Sequence, residues 1–421
     1  MAQLSDDCFA FGGELMRTDE ALALLTERLS VVVDREDCAL RDAAGRILAE
    51  DITSTRAVPP HDNAAVDGYA VRFEDLSADG ETRLVLTGRI AAGDISDRPV
   101  GAGEAIRIFT GAAMPTDGDT VLMQEDCRED RQGDNTHVVI PPGIKQGANR
   151  RFAGEDIAAG DVILKAGTKL RPQEIGLTAS IGLKTLSVYK PVRVALFSTG
   201  DEVRDAGEDL PPGCIYDANR YSVAAALERL GCIVDDLGIL PDSYDVIRDT
   251  LSAAADDHDL IMTSGGVSTG EEDHVRAAID ALGKMHFWRL AIRPGRPLAL
   301  GQIGNVPFIG LPGNPVAVLV TFMRFARPAI LRLGGSRVTE PAMYRVRAGF
   351  PLKKKLGRRE WLRVRLDRDA DGAPVARKFP RDGAGILTSM VESDGLVELP
   401  EELTSFEAGT MVDFLPFSEI G

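Results

Sequence analysis

The sequence predicts an α/β and β multidomain protein. A central, mostly parallel α/β domain is flanked by an N-terminal mixed region with a small β insertion and by a C-terminal small β-barrel-like domain. Three observations predict this. From Val192 to Leu333, β-like runs alternate with helical runs, as βαβ units require. From about Pro59, short β runs are separated by Gly, Asp and Pro. After "GGSRVTEP" that second texture returns and lasts to the end of the chain.

The elements follow in order. "TDEALALLTERL" reads as an amphipathic helix with Thr18 as N-cap, Asp19 and Glu20 in the first turn, and Leu22, Leu25 and Leu29 on one face. "AAGRIL" suggests a second short helix. "TRLVLTGRI", "EAIRIFTG", "DTVLMQED" and "THVVIPP" are strands of the insertion. "FAGEDIAAGDVILKAGTKL" is rich in turns, and "RPQEIGLTASIG" opens a helix at Pro172 and ends it at Gly182. The central domain reads strand "VRVALFSTG", helix "NRYSVAAALERLG", strand "CIVDDLGIL", helix "YDVIRDTLSAAA", strand "DLIMTSGG", helix "EDHVRAAIDALG", strand "VPFIGL" and one long apolar helix, "PVAVLVTFMRFARPAILRL". "YRVRAGF", "EWLRVRL", "APVARKF", "GLVELP" and "TMVDFLPF" are the strands of the last domain. The expected divisions are 1–58 with 140–190, then 59–139, 191–335 and 340–421.

Composition narrows the function. The chain has 421 residues and a formal net charge of -17, which argues against nucleic acid and anionic membranes as partners. The N-terminus carries no basic segment followed by an apolar one, and no apolar run nears the length of a membrane span. The five cysteines are scattered without CxxC, as in a protein kept reduced in the cytoplasm. The five histidines show no zinc spacing.

Ligands of an open α/β sheet gather at the carboxyl ends of its strands. Three such ends are rich in glycine: "FSTGDEV", "TSGGVSTGEED" and "GLPGNP". Glycine lets backbone N–H groups approach a phosphate, and a helix N-terminus adds positive character. Acids follow at strand ends: Asp201 and Glu202 after the first loop, Asp242 after another strand, "CIVDDLGIL", and Asp273 after the Gly-rich loop. A carboxylate beside a phosphate needs a cation between them, and Mg²⁺ uses one or two carboxylates plus substrate phosphates. Asp242 and Asp273 are therefore the metal candidates, while Glu271 and Glu272 suit a first helical turn. Two basic clusters stand out: Arg289, Arg293 and Arg296 in "FWRLAIRPGRP", and "PLKKKLGRREWLRVR" with Arg363 and Arg365 on one strand face. The guanidinium fork suits oxyanions. "DNAAVDGYAV" at Asp67-Gly68 reads by itself as a turn.

Taken in order, "DNAAVDGYAV", "FTGAAMP", "GEDI", "FSTGDEV", "IYDANR", "TSGGVSTGEED", "RPGRP" and "GLPGNP" resemble the molybdopterin molybdenumtransferase family, related to the gephyrin E domain. The resemblance covers nearly the whole chain. It implies a four-part homodimer whose central domain binds molybdopterin and whose active site lies at the subunit interface. It implies insertion of molybdate into adenylated molybdopterin, with Mg²⁺ as cofactor and AMP released. Carried over by motif, the family's catalytic positions fall on Asp67, Thr110, Asp156, Glu202, Asp242 and Asp273, with Mg²⁺ at the last two. The cofactor-binding positions fall on Ser264, Gly265, Gly266, Ser268, Arg289, Arg293, Arg296, Pro312, Gly313, Asn314, Pro315 and Arg363. A molybdopterin adenylyltransferase and maturation proteins of molybdoenzymes are the implied partners. The chain departs from the family at Arg289, Arg293 and Arg296, where many members have lysines, and at Ala384, where a serine is usual. Ala64 and Val66 also replace Ser and Met. Two other readings follow from the same resemblance: a molybdopterin adenylyltransferase, and a non-catalytic molybdopterin-binding scaffold or specialised paralogue.

Overall fold

The computed structural model describes residues 15–133, 135–266, 274–295 and 297–419. The chain forms two compact units. One comprises Met1–Ala49, Ala166–Leu170 and Leu186–Gly421; the other comprises Glu50–Lys165 and Arg171–Thr185.

The first unit is built around a six-stranded sheet. Its elements are β1 (Arg193–Thr199), α1 (Ala218–Arg229), β2 (Ile233–Leu240), α2 (Tyr244–Asp257), β3 (Leu260–Ser264), α3 (His274–Leu282), β4 (Gly283–Arg289), β5 (Pro297–Ile303), β6 (Val306–Leu311) and α4 (Pro315–Thr321). The strand order is β2-β1-β3-β6-β5-β4. The first four are parallel, and β5 and β4 complete the sheet antiparallel. The sequence reading missed β4 and β5, which lie in and around the basic "FWRLAIRPGRP" stretch.

Alternation along β1 shows why this region folds as three layers. Val194 and Leu196 join one core with Val223 and Leu227 of α1. Ala195 and Phe197 join another with Ile247 and Leu251 of α2. A strand covered on both faces must be apolar throughout, and every residue of β1 after Arg193 is buried except for its loop. Edge strand β2 carries Asp235 and Asp236, charges that discourage a further strand from pairing. The order in which strands are added reverses between the parallel neighbours β1 and β3, since β2 lies to one side of β1 and β6 beyond β3. Their carboxyl ends therefore open the crevice of a topological switch point.

The expected single helix from Pro315 is three segments. An α-helical turn to Thr321 passes into π-helix over Phe322–Ala326 and back to α-helix over Arg327–Leu333. The Arg327 N–H bonds the Phe322 carbonyl, five residues back. Pro328 follows; its missing N–H and its ring disfavour the regular ladder at this point. Two other local expectations are corrected. The first helix starts at Thr18 with Arg17 in the capping position, and Thr18 is buried with its N–H on Glu401. "AAGRIL" is not helical: Gly45 has φ +82°, and Ile47 and Leu48 bridge to Lys169 and Val188.

The C-terminal strands close into a five-stranded barrel. Arg359–Arg368 pairs with Pro374–Lys378, which pairs with Tyr344–Ala348, then Met411–Pro416, then Gly395–Leu399, which returns to Arg359–Arg368. Leu362 and Val364 point into its core with Val346, Val397 and Phe414. Trp361 and Arg363 take the opposite face. There Trp361 packs edge-on against Phe325 at 6.3 Å, joining barrel to helix.

Arg359 and Glu398, buried at that joint, are paired with each other and with their neighbours. Arg359 donates to Glu401 at 2.9 Å, Glu398 at 3.0 Å and Asp19 at 2.9 Å. The other oxygen of Glu398 accepts from Trp361 Nε1 at 2.8 Å and lies 3.3 Å from Arg324 Nε.

The second unit holds a six-stranded sheet in the order Thr120–Met123, Gly68–Val71, Glu104–Ile108, Thr82–Ile90, Asn135–Ile140, Arg128–Gln132. The last strand, "REDRQ", has no apolar residue and left no β signature. Asp67-Gly68 is not a tight turn. Gly68 starts a strand, and a Cβ there would sit 1.7 Å from the Leu122 carbonyl oxygen. Helix Pro172–Ser180 completes this unit.

Removing one member of a buried ion pair strands its partner, at a cost of about 3 kcal/mol. Glu398→Ala is therefore predicted to lower the unfolding free energy by about that amount. Urea denaturation followed by Trp361 fluorescence checks this; an unchanged midpoint would show that Glu398 does not bind the joint.

Candidate functional site

Two clefts of the first unit contain most of the described residues singled out in the sequence. The first lies at the switch point. Its walls are Ser198 and Thr199 at the end of β1 with Glu202 beyond it, Ser264 at the end of β3 with Gly265 and Gly266 beyond it, Asp217–Asn219 at the start of α1, and Pro312, Gly313 and Pro315 after β6, around a volume of about 280 Å³.

The floor is built by parallel register. Ser198 and Ser264 are paired neighbours on β1 and β3. Both are buried, at 2% and 4% exposure, and neither hydroxyl has a hydrogen-bond partner among the described residues. A buried hydroxyl without a partner costs about 1–3 kcal/mol. Two side by side on a cleft floor point to a ligand that satisfies them. Gly266 follows with φ +64°, and a Cβ there would lie 2.2 Å from Thr199 Oγ1, so only glycine lets the loop close on β1.

The α1 wall is fixed by a charge network. Asp217 caps the helix by accepting from the Arg220 N–H at 3.0 Å. The buried Arg220 guanidinium donates to Asp217 at 3.1 Å, to Asp205 at 2.7 Å and to Asp236. These contacts push the Arg220 guanidinium upward despite its burial. Asn219 Nδ2 donates to the Gly313 carbonyl at 2.7 Å, tying α1 to the "LPGNP" loop. Asp217 is thus committed to structure, and Glu202 is the other carboxylate on the cleft wall.

The second cleft, also about 280 Å³, is lined by Arg293–Gly295, Leu352, Lys353, Glu360–Arg363, Lys378 and Asp382–Ala384. Arg363 dominates it. The residue is 6% exposed, yet its guanidinium meets only neutral acceptors: Ser389 Oγ at 3.0 Å and the carbonyls of Gly383 at 3.3 Å and Arg381 at 3.4 Å. No described carboxylate reaches ion-pair distance. Burial, opposed by the Asp382 carboxylate acting through space and reinforced by repulsion from Arg293, holds it below the usual arginine range. Arginine stays charged in proteins, so a bound anion, and not proton loss, would offset the imbalance. The other cations are partly paired. Arg293 lies 3.6 Å from Glu360, and Lys378 lies 3.0 Å from Asp382.

The "LPGNP" loop links the clefts. Pro312, Gly313 and Pro315 face the first. At its other end the Val316 N–H donates 2.9 Å to the carbonyl of Ala384, which faces the second.

The remaining expected residues fall as follows. Asp242 is exposed, two residues beyond β2 and just before α2. Asn314 precedes α4, and its carbonyl accepts from Val318. Arg289 ends β4, exposed, and does not line the second cleft. Ser268, Asp273 and Arg296 lie outside the described residues, as do Glu271 and Glu272. Asp67, Thr110 and Asp156 belong to the second unit. There Asp67 Oδ1 accepts from the Thr110 N–H at 2.8 Å and hydroxyl at 2.7 Å. These bonds, the backbone one first, hold its carboxyl below the usual range. Asp156 is exposed, with its N–H on the Val58 carbonyl. Sequence reasoning did not single out Ser198, Asn219, Lys378 or Asp382. A hydroxyl inside the apolar run "VALFST" was the available signal for Ser198.

The donor set was tested for a metal. Among the described residues, no three His, Cys, Asp or Glu side chains converge. Asp242, exposed at the carboxyl edge of the sheet, is a carboxylate of the kind Mg²⁺ uses when it takes its other ligands from phosphate and water.

Comparison with known proteins agrees with these features. Family models match in sequence: "MoeA N-terminal region (domain I and II)" over residues 16–182, "Probable molybdopterin binding domain" over 195–332, and "MoeA C-terminal region (domain IV)" over 345–417. A molybdopterin molybdenumtransferase of Haemophilus influenzae is 37% identical over 407 residues, covering 96% of this chain and 100% of that one. One from Nostoc sp. is 37% identical over 397 residues, covering 91% and 89%. The crystal structure of the molybdopterin biosynthesis moeA protein from Pyrococcus horikoshii OT3 superposes with a TM-score of 0.81 at 29% identity, covering 96% of this chain and 100% of that one. The chain belongs to the molybdopterin molybdenumtransferase (MoeA) family, transferases of molybdenum cofactor biosynthesis.

Proposed function

We propose that this protein inserts molybdate into adenylated molybdopterin, with Mg²⁺-dependent release of AMP. The observation that carries the reading is Arg363, a buried guanidinium without a carboxylate partner among the described residues, facing a cleft lined by further cations. Molybdate is a dianion, and a planar fork of donors suits its oxygens. The adenylated substrate suits the other cleft, where the hydroxyls of Ser198 and Ser264 and the glycine backbone offer donors to phosphate oxygens.

The chemistry asked of the protein is positioning and charge. Both substrates are anions and the chain is itself acidic. Arg363 and Arg293 lower the cost of holding molybdate beside the phosphates, and the "LPGNP" loop sets the distance between the two clefts. Asp242 and Asp273 would hold Mg²⁺, which when bound supplies a Lewis acid at the phosphate bridge. No protein nucleophile is required. The reading takes the working protein as a cytoplasmic homodimer in which Asp67 and Thr110 contact substrate.

Two outcomes test it. Arg363→Met is predicted to lower molybdate-dependent AMP release by about 100-fold, as loss of a preorganised charged donor does. Binding of adenylated molybdopterin should stay close to wild type. Stopped-flow release and equilibrium binding separate the two effects, and unchanged release would refute the assignment. Ser264→Ala removes an unsatisfied buried hydroxyl. The free protein should melt no lower than wild type, while affinity for AMP weakens by about tenfold. A lowered melting temperature with unchanged AMP affinity would make Ser264 purely structural.

A further inference from the structure

In the second unit, strands Thr82–Ile90 and Glu104–Ile108 run parallel and set Arg89 beside Arg107. Like charges placed side by side on neighbouring strands are destabilising. Several other arginines of this unit are paired: Arg83 lies 2.6 Å from Asp130, Arg98 2.5 Å from Glu104 and Arg128 2.8 Å from Glu81. Arg89 and Arg107 have no carboxylate at ion-pair distance among the described residues. They share an aromatic ring instead. The Arg89 guanidinium lies 4.5 Å from the Phe109 ring centroid and that of Arg107 5.4 Å away. Arg107 also covers Tyr69 at 4.8 Å and donates to the Gln124 side chain.

The acids nearby are engaged with other groups. Glu129 accepts from the Tyr69 hydroxyl at 2.8 Å, Glu125 from Gln124 at 3.0 Å, and Asp67 from Thr110. Arg107 contributes to the depression of Asp67 only through space. The result is a preordered pair of forks, held by ring stacking and open to solvent at Arg89. Stacked guanidinium groups keep their in-plane donors free for an oxyanion.

We propose that Arg89 and Arg107, seated on Phe109, form a binding site for the phosphate group of a small molecule. This site uses residues of the second unit alone, so its failure would leave the reading of Arg363 untouched. The test is hydrogen–deuterium exchange on the full chain, titrated separately with inorganic pyrophosphate and with AMP. Peptides spanning 82–90 and 104–112 should gain saturable protection. Arg89→Met should raise the half-saturating concentration by about tenfold, the loss expected for one charged hydrogen-bonding group. Arg89→Lys should fall between. Protection by both probes identifies a site for phosphate itself, and protection by AMP alone identifies a site for phosphate carried on a nucleotide; either upholds the proposal. Absence of protection with both probes, or an Arg89→Met titration that overlays wild type, overturns it. Arg89 is exposed, so the variant keeps its fold, which an unchanged thermal melt verifies.

Discussion

An uncompensated positive charge at Arg363 is the constraint around which the candidate site is organised. A guanidinium at 6% exposure that, among the described residues, meets a hydroxyl and two carbonyls but no carboxylate is a costly arrangement unless an anion completes it. The barrel makes it possible. Strand alternation sends Leu362 and Val364 inward and turns Trp361 and Arg363 towards the helix and the loop at Gly383. The joint that positions this strand is itself a satisfied network, in which Arg359, Glu398, Glu401 and Trp361 bond one another. The same strand thus carries one balanced guanidinium that serves the fold and one unbalanced guanidinium that is free to serve a ligand.

A second imbalance lies at the switch point of the sheet. There the unmet groups are neutral hydroxyls, Ser198 and Ser264, set side by side by strand register. One cleft thus offers charge and the other offers neutral donors. A short loop, Pro312–Pro315, reaches both through Asn219 on one side and Ala384 on the other. Such a division suits the proposed reaction, which brings a small oxyanion to a phosphate-bearing substrate. Ala384 contributes its carbonyl to this link, a backbone bond that does not depend on the side chain at that position.

Much of this was legible in the sequence, for physical reasons. Parallel strands covered on both faces must be continuously apolar, so "VRVALFST", "LIMTS" and "VPFIGL" announced themselves. Glycines at strand ends marked the loops, and their order marked the family. What was not legible depends on register and tertiary packing. Nothing in "REDRQ" says strand, because its pairing comes from the neighbouring Asn135–Ile140. The antiparallel strands β4 and β5 were hidden in a stretch read for its charge. The π-helical segment near Pro328 interrupts a helix whose apolar pattern is unbroken. At the site, Arg363 and Arg365 share a strand face by periodicity, but only packing decides that Arg363 is buried and Arg365 exposed. The pairing of Ser198 with Ser264 required knowing which strands are neighbours.

The most direct measurement of the central claim is anomalous diffraction from crystals of the full chain equilibrated with molybdate. The account predicts a molybdenum peak in the cleft between Arg293 and Arg363, and its loss in Arg363→Met crystals of the same form. A peak at the Ser198–Ser264 cleft instead, or a peak beside residue 363 that survives the substitution, would contradict the claim that the unpaired guanidinium is what binds the oxyanion.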